Sequence, residues 1–86
     1  MAKIEMYTTQ WCGYCARARA LFEKKGAAFD EMDVMEDESK RAEMRSRTNR
    51  TSVPQIFING EHIGGSDELA ALEQQGRLDA LLAQPG

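Results

Sequence analysis

Cysteine, proline and histidine are scarce in this chain: two, two and one among 86 residues. Each scarcity excludes something. Two cysteines only three positions apart close too small a loop to staple a secreted fold. With His62 as the lone imidazole, they also fall short of the four ligands that a structural zinc site takes. No apolar run is long enough to cross a bilayer, and no charged-then-apolar segment opens the chain. Neither a membrane span nor an export signal is therefore expected, and a cytoplasmic location is. Positive charge is not in excess: 11 basic against 14 acidic residues leave a net charge of −3. That balance argues against a nucleic-acid binder held by bulk charge. Repeats, low-complexity tracts and linkers are missing too, and the length suits one domain, residues 1–86, with a hydrophobic content of 42% for a modest core.

What is present reads as alternating strands and helices. Lys3 to Thr8 alternates in character and puts Ile4 and Met6 on one face of a short strand. From Gly13 to Lys25, Tyr14, Cys15, Ala18, Leu21 and Phe22 form the apolar stripe of a helix that Gly26 stops. Ala28 to Val34 follows as a second strand, which completes a right-handed βαβ unit with parallel strands. Glu36, Asp37 and Glu38 precede Lys40, Arg41, Arg45, Arg47 and Arg50, the charge order that a helix dipole favours. The apolar side of this second helix is thin, chiefly Ala42 and Met44, so it is expected to be the most exposed. Val53 to Ile58 is a strand opened by Pro54, Asn59-Gly60 a tight hairpin, and Glu61 to Ile63 the returning strand. Ser66 is read as the cap of a third helix that Gly76 ends, and Leu78, Leu81 and Leu82 mark a last helical stretch. The order describes an α/β sandwich around a four-stranded mixed sheet.

The chemistry concentrates in Trp11-Cys12-Gly13-Tyr14-Cys15, where a strand hands over to a helix. A helix start carries unpaired N–H groups and partial positive charge, which stabilise a thiolate. One turn of helix brings the second sulfur to the same face as the first. A nucleophilic thiolate with a resolving thiol in reach opens and closes disulfides, so redox chemistry is preferred to metal binding. His62 is read as an exposed hairpin residue, and Met32, Met35 and Met44 as filling core or groove rather than binding copper.

In this layout Cys12-Gly13-Tyr14-Cys15 resembles the active site of the glutaredoxins, the glutathione-dependent branch of the thioredoxin fold, and of their dithiol bacterial members in particular. Three more stretches match in order and spacing: Tyr7-Thr8, Thr51-Ser52-Val53-Pro54 and Gly64-Gly65-Ser66-Asp67. The resemblance covers essentially the whole chain. It implies a three-layer thioredoxin-like sandwich of order βαβαββαα. It also implies a disulfide oxidoreductase that reduces protein disulfides and glutathione mixed disulfides in the service of cell redox homeostasis.

Residue by residue, the resemblance makes Cys12 the nucleophile and Cys15 the buried resolving thiol. Pro54 is expected to be cis, turning the Val53 backbone toward the cysteinyl part of glutathione. Gly65, Ser66 and Asp67 would take the γ-glutamyl end, with Thr51 and the Tyr14 ring at the rim. Trp11 is expected to shield the site. Many family members place a lysine where this chain has Thr9, so the glycine carboxylate is left to Arg41, with Lys40 and Arg17 as alternatives. Implied partners are glutathione and disulfide-containing or glutathionylated proteins, ribonucleotide reductase among them, served by a monomer. Gly13 replaces the commoner proline and leaves an alternative, a [2Fe–2S] cluster bridging two subunits through Cys12 and glutathione.

Overall fold

A computed structural model describes residues 2–85. They form β1 (Ile4–Thr8), α1 (Gly13–Lys24), β2 (Asp30–Asp33), α2 (Glu38–Thr48), β3 (Gln55–Ile58), β4 (Glu61–Gly64), α3 (Ser66–Gln74) and α4 (Leu78–Leu82). The sheet order is β2-β1-β3-β4, with β1 parallel to β2 and antiparallel to β3, and β3 antiparallel to β4. This is the mixed four-stranded sheet and the βαβαββαα order that the sequence predicts.

The pleat sorts side chains into two layers, because neighbours along a strand point to opposite faces. Ile4, Met6, Ile56 and Ile58 turn to one side and meet Ala18 and Phe22 of α1, Leu69 of α3 and Leu78 of α4. Tyr7 and Phe57 turn to the other, where Met44 of α2 and Val34 complete a second cluster. Phe22 is fully buried, and truncating such a side chain to alanine costs about 3–5 kcal/mol. Met44 is the one buried residue of α2, so that helix is thinly anchored, as expected. Polar links compensate: the Tyr7 hydroxyl donates to Glu43, and Arg47 Nη1 donates to the Tyr7 oxygen at 2.9 Å.

Several element edges differ from the sequence reading. β3 begins at Gln55, the first residue with a ladder partner (Tyr7), so Val53 and Pro54 belong to the loop before it. β2 is only Asp30–Asp33, since its pairing with β1 runs from Glu5↔Asp30 to Thr8↔Asp33. The helix-three cap is Gly65 rather than Ser66, which is already helical. Asn59 and Gly60 both adopt positive φ, 52° and 81°, as a two-residue turn matched to strand twist requires.

Candidate functional site

The end of β1 and the start of α1 place the first cysteine. Cys12 is the N-cap of α1, in extended conformation, and its Sγ accepts from the Cys15 N–H at 3.4 Å. A thiol thus stands where a capping hydroxyl or carboxylate usually stands. Burial pushes the Cys12 thiol up. Donation from the Cys15 backbone and thiol, the Tyr14 N–H and the charge of Arg19 more than offset it, so its pKa lies below the ordinary thiol value. Cys15, one turn inside and fully buried, goes the opposite way: chiefly burial raises it to about 11. Both cysteines are free thiols. Cys12 therefore ionises more readily than an ordinary thiol, and Cys15 less readily.

Beside Cys12 runs the loop that joins α2 to β3. The Val53–Pro54 bond is cis, and the protonated Cys12 thiol donates to the Val53 carbonyl at 3.8 Å. The Val53 N–H donates to no group among the described residues. Across from this loop, α3 starts at Gly65. A Cβ there would come within 3.3 Å of the Pro54 carbonyl oxygen, so the missing side chain permits the two backbones to approach closely. Having no side chain, Gly65 cannot cap the helix, and the Ser66 and Asp67 N–H groups donate to nothing among the described residues. Glu68 folds back instead, accepting from the Gly65 N–H at 2.8 Å and from Arg50 Nη1 at 3.0 Å. The Gly65 N–H, then Arg50, hold its carboxyl below the usual range.

Between the two backbones lies a groove of about 230 Å³. Ser52, Val53, Pro54 and Gln55 form one wall, and Gly65, Ser66, Asp67 and Glu68 the other; Tyr14 also lines it, and Arg50 spans the walls to Glu68. Unpaired N–H groups on both walls, a carboxylate and a guanidinium suit a peptide-like ligand carrying both charges.

Of the residues expected from the sequence, Tyr14, Val53, Pro54, Gly65, Ser66 and Asp67 line this groove, and Cys12 borders it through Val53. Thr51 does not line it. Nor does Arg41: it faces the other flank of α2, beside Val34 and Met35, and its Nε donates to the Val34 carbonyl at 3.4 Å. Lys40 is paired with Glu43 at 3.5 Å, and Arg17 packs its guanidinium over the Tyr14 ring. Trp11 is 87% exposed and shields nothing; Met35, 63% exposed, fills neither core nor groove. His62 is half-buried, stacked on Phe57 and bonded to Gln55, because β4 pairs it with that ring. Arg50, Ser52, Gln55 and Glu68 were missed. The spacing of Glu68, three residues after the cap position, was the available signal for one of them.

The match to the glutaredoxin family profile spans residues 4–63, from the first strand through the hairpin. The chain belongs to the glutaredoxin family. It is 51% identical to glutaredoxin 3 of Escherichia coli K12 over 95% of this chain and 99% of that one. It is also 46% identical to a Pseudomonas aeruginosa glutaredoxin, over 96% and 99% of the two chains. Among solved structures, the glutaredoxin of Brucella melitensis superposes with a TM-score of 0.83 at 50% identity, covering 95% and 89% of the two chains. A buckwheat glutaredoxin–glutathione complex superposes at 0.86 with 28% identity, covering 94% and 76%. The protein is thus a glutathione-dependent thiol–disulfide oxidoreductase of thioredoxin-like fold. No described helix of this glutaredoxin is long and apolar enough to cross a membrane.

Proposed function

We propose that this glutaredoxin works by a dithiol mechanism, with Cys12 as nucleophile, Cys15 as resolving thiol and glutathione seated in the groove between the Pro54 loop and α3. The observation that carries this reading is the 3.8 Å approach of Cys12 Sγ to the Val53 carbonyl, which sets the nucleophile at the groove wall. The Val53 N–H and C=O pair with the cysteinyl part of glutathione in strand fashion. The free N–H groups of Ser66 and Asp67 receive the γ-glutamyl carboxylate, and the Asp67 side chain its ammonium. Arg50 replaces Arg41 as the cation for the glycine carboxylate, since it lies in the groove and Arg41 does not.

The Cys12 thiolate attacks the glutathione sulfur of a mixed disulfide. A Cys12–glutathione disulfide forms, and the protein partner leaves as a thiolate that takes a proton from water. A second glutathione thiolate then attacks the glutathione sulfur on Cys12, releasing oxidised glutathione and restoring the Cys12 thiolate. With a protein disulfide, the Cys12 thiolate attacks one sulfur and breaks the S–S bond, and the other sulfur leaves as a thiolate that takes a proton from water. Cys15 then loses its proton, attacks Cys12 Sγ and frees the protein thiolate, leaving a Cys12–Cys15 disulfide that two glutathiones reduce. Burial of Cys15 raises its pKa and slows its ionisation, so glutathione can resolve Cys12 in its place.

Proposed substrates are glutathionylated proteins and protein disulfides, ribonucleotide reductase included, with the chain acting as a cytoplasmic monomer. The test is steady-state reduction of a glutathionylated peptide, coupled to glutathione and its reductase, with the Cys12→Ser and Cys15→Ser variants. Activity in Cys15→Ser and none in Cys12→Ser is the expected result; equal activity in both overturns the assignment.

A further inference from the structure

Gln55 is buried, at 1% exposure, and its side chain joins two elements. Its Nε2 lies 3.0 Å from the Ser52 carbonyl oxygen and 3.2 Å from Ser52 Oγ, while its Oε1 lies 2.7 Å from His62 Nε2. The donor directions follow from the chemistry. A carbonyl oxygen only accepts, so the Gln55 amide nitrogen must face Ser52, and its oxygen must face His62. His62 Nε2 must then carry the hydrogen, which fixes the neutral ring as the Nε2–H tautomer with Nδ1 bare. The ring has little freedom to do otherwise. It stands opposite Phe57 in the β3–β4 ladder and stacks on that ring, with centroids 5.0 Å apart and planes at 28°.

We propose that His62, outside the groove, is a positioning residue for glutathione binding, acting through Gln55 on the Ser52 backbone; this rests on the groove reading given above. Ser52 leads directly into Val53, whose carbonyl faces Cys12 and whose N–H is free for the ligand. The one-way chain from His62 through Gln55 holds the start of that wall at a fixed depth. Protonating His62 leaves the chain intact, since the imidazolium also donates from Nε2. Without His62, the buried Gln55 oxygen loses its donor and the amide is free to turn, which releases Ser52. The loss falls on ligand binding and not on the thiol chemistry, because His62 touches neither cysteine.

The experiment is steady-state reduction of a glutathionylated peptide by the full chain. His62→Ala is expected to raise KM about three- to tenfold, the worth of one hydrogen bond, with kcat nearly unchanged. His62→Gln, whose amide nitrogen reaches the Nε2 position, restores KM, whereas the shorter His62→Asn does not. Gln55→Ala raises KM at least as much as His62→Ala, and the double variant is no worse than Gln55→Ala alone. Nitrogen-15 NMR of the unaltered chain gives the tautomer independently of how any variant folds. A ring protonated at Nδ1 and bare at Nε2 overturns the proposal. So does an unchanged KM in His62→Ala, or an equal loss in the Gln and Asn variants. Failure of the groove reading itself is distinguishable, because the unaltered chain would then show no glutathione-dependent turnover.

Discussion

Two helix starts in this molecule are built in opposite ways. At α2, Asp37 accepts from the Ser39 N–H at 2.9 Å and from the Ser39 hydroxyl at 2.5 Å, and its pKa is lowered chiefly by that hydroxyl. The helix closes on Asn49 in the left-handed conformation, φ 57°. At α1, the capping atom is the sulfur of Cys12. The same unpaired N–H groups that stabilise a fixed carboxylate in one place stabilise a reactive thiolate in the other. The start of α3 extends the contrast, since its cap has no side chain and its first N–H groups have no partner among the described residues. Of these three starts, the one with the conventional carboxylate cap stands away from the groove and the other two flank it.

Replacing the caps would separate the two kinds of start. The largest effect is expected for Cys12→Ser, which keeps an N-cap oxygen and thus the helix, yet lowers turnover to background in the peptide assay. Asp67→Ala comes next: loss of a charge-assisted contact to the ammonium is expected to raise KM about tenfold or more with a small change in kcat. Asp37→Ala, at the conventional cap, lowers the midpoint of thermal unfolding and leaves kcat and KM alone. A loss of activity there without a loss of stability would blur the contrast.

The pH dependence sharpens it further. The thiolate is the attacking form, so alkylation of Cys12 by iodoacetamide rises with pH and levels off above its pKa, which is lowered from that of an ordinary thiol. Cys15 in the Cys12→Ser variant is expected to react only at higher pH than Cys12 does in the unaltered chain, because its burial remains. For stability the sign is the same: the depressed Cys12 pKa adds stability above the unfolded-state value, and this is lost as pH falls through the folded one. Arg19→Leu gives the smallest effect, moving the Cys12 midpoint up by less than about one unit, since it removes one of several favourable influences.

The elements that carry strong local chemistry were readable from the sequence. Asn59-Gly60 fixed the hairpin, the period-two alternation of Ile4 and Met6 fixed the first strand, and Cys12 announced a helix start. Pairing edges were not readable, because β3 starts where Tyr7 offers Gln55 a ladder partner, and that register is tertiary. Which basic residue faces the groove was unreadable for a related reason. Arg41 and Arg50 are both basic residues of the α2 region, but only the chain's path into the Pro54 loop brings Arg50 over the groove. The sequence makes His62 an exposed hairpin residue, because nothing local reveals a partner seven positions back on the neighbouring strand.

The union of a thiolate at one helix start with a glutathione seat at another is tested most directly in the Cys15→Ser variant treated with oxidised glutathione. Mass spectrometry should find one glutathione on Cys12, and amide NMR should place the largest shifts at Val53, Ser66 and Asp67. An adduct without those shifts, or shifts centred on the Arg41–Met35 flank, would contradict it.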